Sequence, residues 1–244
     1  MGAASSAVDP TVWEYHVSDM RRWVSFDCYG TLVDWREGMT AALESVAPGV
    51  GERLLERYHA HEPALQRADP APSYRHVLTE GLRLAALDTG VRLAPDDEDV
   101  LARTIGRWPV FADTKPVLEQ LRAEGWKIGV LSNVDDDLLA GTLPQLGTPV
   151  DVVVTAQQVK SYKPALPHFR QFLSMSGASA SSWVHVACSW VHDVEPCLRL
   201  GVPVAFVNRE REVRDTSAAS ADLQDLGNLP EVLQLLRPAH VADR

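Results

Sequence analysis

Apolar residues along this chain follow two rhythms. Short continuous runs recur at Trp23–Asp27, Trp126–Leu131, Val150–Thr155, Trp183–Ala187 and Val204–Val207. Continuous rather than alternating runs suit strands buried on both faces. Amphipathic segments separate them: Asp113–Glu124 before Gly125, Asp135–Leu146, Pro167–Ser176, and Val194–Leu200 before Gly201. Helical spacing followed by a glycine stop predicts a helix in each. Strand and helix in repeated alternation predict an α/β fold, a Rossmann-like parallel sheet with helices on both faces.

Residues 37–110 break this rhythm. Ala41–Val46, Arg53–Arg67, Tyr74–Leu87 and Glu98–Arg107 carry apolar residues at helical spacing, divided by breaks such as Pro70-Ala71-Pro72. The expected organisation is a core of residues 21–36 and 111–244, an inserted helical cap over 37–110, and a flexible N-terminal extension over 1–20. The alanine- and serine-rich stretch Thr216–Ala221 reads as a surface loop.

A chain of 244 residues, 45% hydrophobic, has enough apolar material for a full core, which argues against disorder. Its net charge of -10 gives no footprint for nucleic acid or an anionic membrane surface, so a small molecule is the expected partner. Three cysteines, Cys28, Cys188 and Cys197, are an odd set that reads as free thiols of a reducing compartment. No apolar run reaches the roughly 20 residues of a membrane span, and the opening residues lack a signal-peptide pattern, which together predict a cytoplasmic protein. Gly2 and Ser6 satisfy a myristoylation pattern, which short small-residue tails also match by chance. Neither a cysteine-histidine zinc spacing nor a glycine-rich nucleotide loop occurs.

Ligands of open parallel sheets bind beyond the carboxyl ends of the strands. Four polar groups fall there: Asp27 with Thr31, Ser132 with Asn133, Lys163, and Asp193. Singly, each suits a turn or a solvated surface. Their order and spacing, carried by Phe26-Asp27-Cys28-Tyr29-Gly30-Thr31-Leu32-Val33-Asp34, Leu131-Ser132-Asn133, Ser161-Tyr162-Lys163-Pro164, and Asp193 before Leu200-Gly201-Val202-Pro203, resemble the four motifs of the haloacid dehalogenase superfamily over residues 22–209. The resemblance implies that Asp27 is a nucleophile forming a covalent aspartyl intermediate. It implies that Lys163 offsets the negative charge of nucleophile and anionic substrate, and that Thr31 and Ser132 donate hydroxyl hydrogen bonds. Asp193, with Lys163, would position or activate the hydrolytic water.

Within the superfamily, Phe-Asp-x-Tyr-Gly-Thr-Leu at 26–32 resembles the first motif of the (S)-2-haloacid dehalogenases. Tyr29 stands where phosphatases carry a second Asp, and Ala187-Cys188-Ser189 where they open with Gly-Asp. The implied reaction is displacement of halide from an (S)-2-haloacid-like carboxylate, without cofactor, because halide leaves without a proton or a metal. Tyr29 and Asn133 are the implied pocket groups, with Arg57 as the cap cation and Arg53, Arg67 and Arg75 as competitors. Helical spacing puts Tyr58, His61 and Leu65 near one face of the same helix, which ordinary cap packing would also produce. Cys188, Trp190 and Phe169 replace the Ser, Asn and Tyr of that family, pointing to a larger or more apolar substrate. The alternatives are a Mg2+-dependent phosphatase with Asp27 and Asp193 as metal ligands, and a catalytically idle binding protein on the same fold. A homodimer is a further implication of the resemblance. His185 and His192 suit proton transfer or scaffold, and Cys28 and Cys188 suit neighbouring buried thiols.

Overall fold

The computed structural model describes residues 22–68 and 70–236. The expected extension at 1–20 lies outside the described residues, as do Gly2 and Ser6. Strands β1 (Trp23–Phe26), β2 (Lys127–Ser132), β3 (Val152–Thr155), β4 (Trp183–Ala187), β5 (Val204–Val207) and β6 (Ala221–Leu223) form one sheet in the order β3-β2-β1-β4-β5-β6. Every neighbouring pair is parallel. All four residues of β1 are buried, as the continuous apolar run requires. Chain order reverses at β1, which pairs with β2 on one side and β4 on the other, so a crevice opens beyond the β1 and β4 carboxyl ends.

The α/β reading therefore holds. Strands β4 and β5 occupy the residues expected, and β1 ends one residue early, which leaves Asp27 just beyond it. Strand β6 corrects the loop reading at its last residue: Ala221 begins a strand. Its three residues carry no β-branched or aromatic side chain, so the strand comes from pairing Ala221, Asp222 and Leu223 with Ala205, Phe206 and Val207 of β5.

Between β1 and β2 stand helices α1 (Trp35–Val46), α2 (Gly51–Gln66), α3 (Tyr74–Thr89) and α4 (Val100–Thr104), the last continued by a 3-10 turn at Ile105–Arg107. Helix α1 starts at Trp35, ahead of the expected Ala41, because the Asp34 side chain accepts a hydrogen bond from Glu37 N at 3.0 Å and caps it. Tyr58 of α2 lies over Gly81 of α3; a Cβ there would meet its ring at 2.7 Å. Helices α5 (Thr114–Ala123), α6 (Asp136–Thr142), α7 (Ala156–Val159), α8 (Pro167–Ser176), α9 (Glu195–Leu200) and α10 (Leu229–Leu235) follow among the described residues.

Two of the three buried clusters hold the layers. One joins Val24, Phe26, Ile128, Val130, Val186 and Val207 to the helices between β1 and β2 and to α5 and α10. The other gathers Trp23, Leu131, Phe169, Phe172, Trp183 and Phe206 on the opposite face. Each fully buried side chain of this size contributes about 1.5–3 kcal/mol of transfer free energy. Among the described residues, no helix is long and apolar enough to cross a membrane.

Candidate active site

Asp27 leaves the end of β1 with its N–H donating to Val186 O at 3.0 Å, so the neighbouring strand fixes its backbone. The chain then turns sharply at Gly30, whose φ of +97° and contact with Cys188 Sγ and Trp35 exclude a side chain. That turn returns Thr31 beneath the carboxylate. Its hydroxyl donates to Asp27 Oδ2 at 2.9 Å and accepts from Cys188 N at 2.9 Å, tying the β1 loop to the β4 loop. Arg209 locks the same loop from outside, donating to Thr31 O and making a two-pronged pair with Asp113.

Lys163 is 2% exposed, and its three donors are all used. Its Nζ lies 2.8 Å from Asp27 Oδ1, 2.7 Å from Asp193 Oδ1 and 2.9 Å from Leu131 O. Burial opposes the ammonium, yet Asp193 and Asp27 outweigh it and hold the Lys163 pKa above its ordinary value. Burial likewise opposes a charged Asp193, whereas Lys163 and the His185 hydrogen bond hold its carboxyl well below the usual carboxylate range.

Behind Asp193 runs a buried relay. Trp183 Nε1 donates to Ser25 Oγ at 2.7 Å, Ser25 Oγ lies 2.7 Å from His185 Nδ1, and His185 Nε2 lies 3.1 Å from Asp193 Oδ1. Indole nitrogen only donates, so the serine proton is free to point at Nδ1, which places the imidazole proton on Nε2, facing Asp193. Hence His185 is scaffold of the acid rather than a cavity group. The Asp193 turn, Trp190–Val194, is a single π-helical turn, a distortion that redirects side chains at many functional sites.

The crevice above these groups has a volume of about 860 Å³. Asp27, Ser132, Asn133, Lys163 and Asp193 line it together, as do Tyr29, Cys188 and Trp190. Ser132 Oγ is buried and makes no hydrogen bond among the described residues, so a donor is free at the cavity wall. Asn133 is engaged by Lys163: Oδ1 accepts from Lys163 N at 2.7 Å and Nδ2 donates to Lys163 O at 3.1 Å. Tyr29 Oη pairs with Thr142 Oγ1 at 2.8 Å, and burial pushes its phenol well above the ordinary range. Trp190 packs edge-on to Phe206 under the Arg214 guanidinium. His192 is at the rim, 3.0 Å from Ser189 Oγ. All three cysteines are free thiols.

Two expected pocket residues are elsewhere. Phe169 is fully buried and packs edge-on to His185, outside the cavity lining, so it shapes the relay rather than the substrate site. Arg57 is exposed, as are Arg53, Arg67 and Arg75, and none lines the cavity. Arg57, expected from its distance along the chain from Asp27, points to solvent because Leu54, Leu55 and Tyr58 take the buried side of α2. Of the other face marked by spacing, Tyr58 is buried and His61 pairs with Asp88. The cavity-lining cations missed by sequence reasoning are Arg36, Arg209 and Arg214. Helix α2 instead presents His59, Glu62 and Gln66, a polar stripe at helical spacing that was readable in principle.

Magnesium asks for an octahedral shell of mostly oxygen ligands. Asp27 and Asp193 are both ion-paired to one ammonium, and Tyr29 and Cys188 bring no further carboxylate. Among the described residues no group of three or more His, Cys, Asp or Glu is placed to hold a metal, so Asp27 and Asp193 are the two carboxylates that a magnesium ion at this site would use.

Residues 22–186 match the family model described as haloacid dehalogenase-like hydrolase. The haloacid dehalogenase-like hydrolase domain-containing protein 3 of Danio rerio is 35% identical over 135 residues, covering 52% of this chain and 54% of that protein, about half its length. (S)-2-haloacid dehalogenase 1 of Pseudomonas sp. (strain CBS-3) is 26% identical over 216 residues, 85% of this chain and 94% of that one. The crystal structure of the L-2-haloacid dehalogenase RSc1362 superposes with a TM-score of 0.76 at 26% identity, covering 88% of this chain and 99% of the other. With its aspartate, hydroxyl, ammonium and second aspartate joined in one hydrogen-bonded cluster at the sheet's switch point, and with two thirds of its length matching the family, the chain belongs to the haloacid dehalogenase-like hydrolases.

Proposed function

We propose that the protein hydrolyses the carbon-halogen bond of an (S)-2-haloacid-like carboxylate through an ester on Asp27, with the helices α1–α4 acting as the cap that keeps water from the reacting carbon. The observation that carries this reading is Asp27 itself: a carboxylate at the cavity wall, aligned by Lys163 and Thr31, with no second acid at position 29 to protonate an alkoxide. An oxygen of Asp27 attacks the carbon bearing halogen from the face opposite the halide. The carbon-oxygen bond forms as the carbon-halogen bond breaks, and halide leaves with the bonding pair, with the free Ser132 hydroxyl as a donor for anions in the cavity. Water then attacks the ester carbonyl carbon, which restores the Asp27 carboxylate and releases a 2-hydroxy acid and a proton. The stereocentre is inverted once.

Asp193, held as a weak base, serves chiefly to fix Lys163 and the water beside it. Halide release from (S)- and (R)-2-haloacids, with and without EDTA, beside Asp27→Asn and a panel of phosphate esters, tests the reading. Release that resists EDTA, prefers the (S) form and disappears in Asp27→Asn is expected; magnesium-dependent phosphate release in its place overturns it.

A further inference from the structure

The cavity is far larger than a short haloacid needs. A six-heavy-atom haloacid displaces roughly four to six waters, about 120–180 Å³ at about 30 Å³ each, against a cavity of about 860 Å³. The displacement described above uses the wall formed by the strand ends and leaves the α2 wall without a task.

That wall carries Glu62, whose two carboxylate oxygens are in different situations. Oε1 accepts three hydrogen bonds, from Tyr74 Oη at 3.0 Å, Gln66 Nε2 at 3.0 Å and Tyr58 Oη at 3.3 Å. Oε2 accepts none among the described residues, on a side chain that lines the cavity. The network engages one oxygen and leaves the other without a task, and a glutamine would also offer one acceptor oxygen to it. A carboxylate adds a second acceptor and a charge, and partial burial makes that charge less favourable than in water, which raises the Glu62 pKa. Among the described residues no side-chain cation forms an ion pair with it. Its neighbour on α2, His59, is neutral at physiological pH, lowered to about 4 by burial and by Arg36. Arg36 itself is more than half exposed and faces Glu52 at 3.6 Å.

We propose that Glu62 Oε2 is the receptor for an alkylammonium group at the end of the substrate remote from the carbon that Asp27 attacks, so that the substrate class is a zwitterionic ω-amino carboxylate rather than a short haloacid. The inference rests on the proposed function in taking the Asp27 cavity as the substrate site. A substrate cation supplies the charge that the α2 wall lacks, and the three donors on Oε1 hold the receptor in one orientation before binding.

Binding separates this inference from the chemistry. Unhalogenated straight-chain ω-amino acids of four to eight carbons, and the matching acids without the amine, would be titrated into wild type and Glu62→Gln by calorimetry. At least one chain length binding wild type tenfold more tightly than its amine-free partner, with that preference lost in Glu62→Gln while the amine-free acid binds both proteins alike, is the expected result. Equal binding of both series to wild type, no binding of any ω-amino acid at millimolar concentration, or a preference retained in Glu62→Gln overturns the proposal; the first two outcomes need no variant to fold. Halide release from 2-bromohexanoate and 6-amino-2-bromohexanoate then tests the chemistry alone. A retained binding preference without halide from either overturns dehalogenation and leaves the receptor standing, whereas equal kcat/KM for the two overturns the receptor and leaves dehalogenation standing.

Discussion

The side-chain amide of Asn133 clasps the main chain of Lys163, accepting from its N–H at 2.7 Å and donating to its carbonyl at 3.1 Å. The residue expected to be a pocket group is thus first a splint for the ammonium that joins Asp27 to Asp193. Asn133→Ala removes both bonds and leaves a partly buried peptide unpaired, at a cost of about 1–3 kcal/mol. A displacement of Lys163 on the ångström scale lowers turnover by about 100-fold. Urea unfolding and kcat on the same preparation check both; an unchanged midpoint with unchanged kcat would show that the clasp is incidental.

Lys163→Met leaves Asp27 and Asp193 facing each other without a cation. Removing one partner of a buried pair costs about 3–5 kcal/mol at neutral pH. The wild-type dependence on pH follows from the directions of the shifts. Lys163 is raised on folding, so its contribution is complete below the unfolded value of about 10.4 and is lost as pH rises through the folded one. Asp193 is depressed, so its contribution is complete above about 3.9 and is lost as pH falls through the folded value. The contribution of the Lys163 and Asp193 charges is therefore expected to be complete between about pH 4 and 10, whereas Lys163→Met should gain stability on acidification toward pH 4, as one carboxylate protonates. Denaturant melts at pH 4, 7 and 9 check this, and a variant that weakens on acidification contradicts it.

The sheet, its parallel sense and the four strand-end groups were legible because each is written locally. A buried strand reads as a continuous apolar run, and Asp27, Ser132, Lys163 and Asp193 each follow one or a turn. What was not legible depends on contacts across the fold. Strand β6 exists through its register with Val204–Val207, and Phe169 sits beneath His185 because its helix packs back on the strand that follows it. Arg57 failed because distance along the chain from Asp27 does not report which face of α2 turns inward; the apolar positions Leu54, Leu55 and Tyr58 did report it, and they leave Arg57 outside. Arg209, clamping Thr31 from a loop after β5, had no local signal at all.

Ser25 is small and central in the relay, yet two buried donors or acceptors depend on it. Ser25→Ala strands Trp183 Nε1 and His185 Nδ1 inside the sheet and is expected to destabilise the fold by about 1–3 kcal/mol for each group left unpaired. It also frees the imidazole to change tautomer, which would turn an unprotonated Nε2 toward Asp193. Nitrogen-15 spectra of histidine should show the Nε2–H form of His185 in wild type and a mixture in Ser25→Ala. A wild-type Nδ1–H signal would break the assigned direction of the relay.

Glu62 offers a stability measurement independent of any substrate. Burial raises its pKa in the folded state, so the unfolded chain releases the proton more readily, and folding stability falls as pH climbs from the unfolded value of about 4.3 through the folded one. Above that window the cost of the buried charge is fully present. Glu62→Gln preserves an oxygen for Tyr58, Tyr74 and Gln66 while removing the charge, so its thermal midpoint should match wild type near pH 4 and exceed it at pH 7 and 8. Scanning calorimetry across that range checks the direction. A substitution that destabilises the fold more as pH rises would mean that a cation of the protein already satisfies Glu62, and the wall of α2 would then have no charge left to offer a ligand.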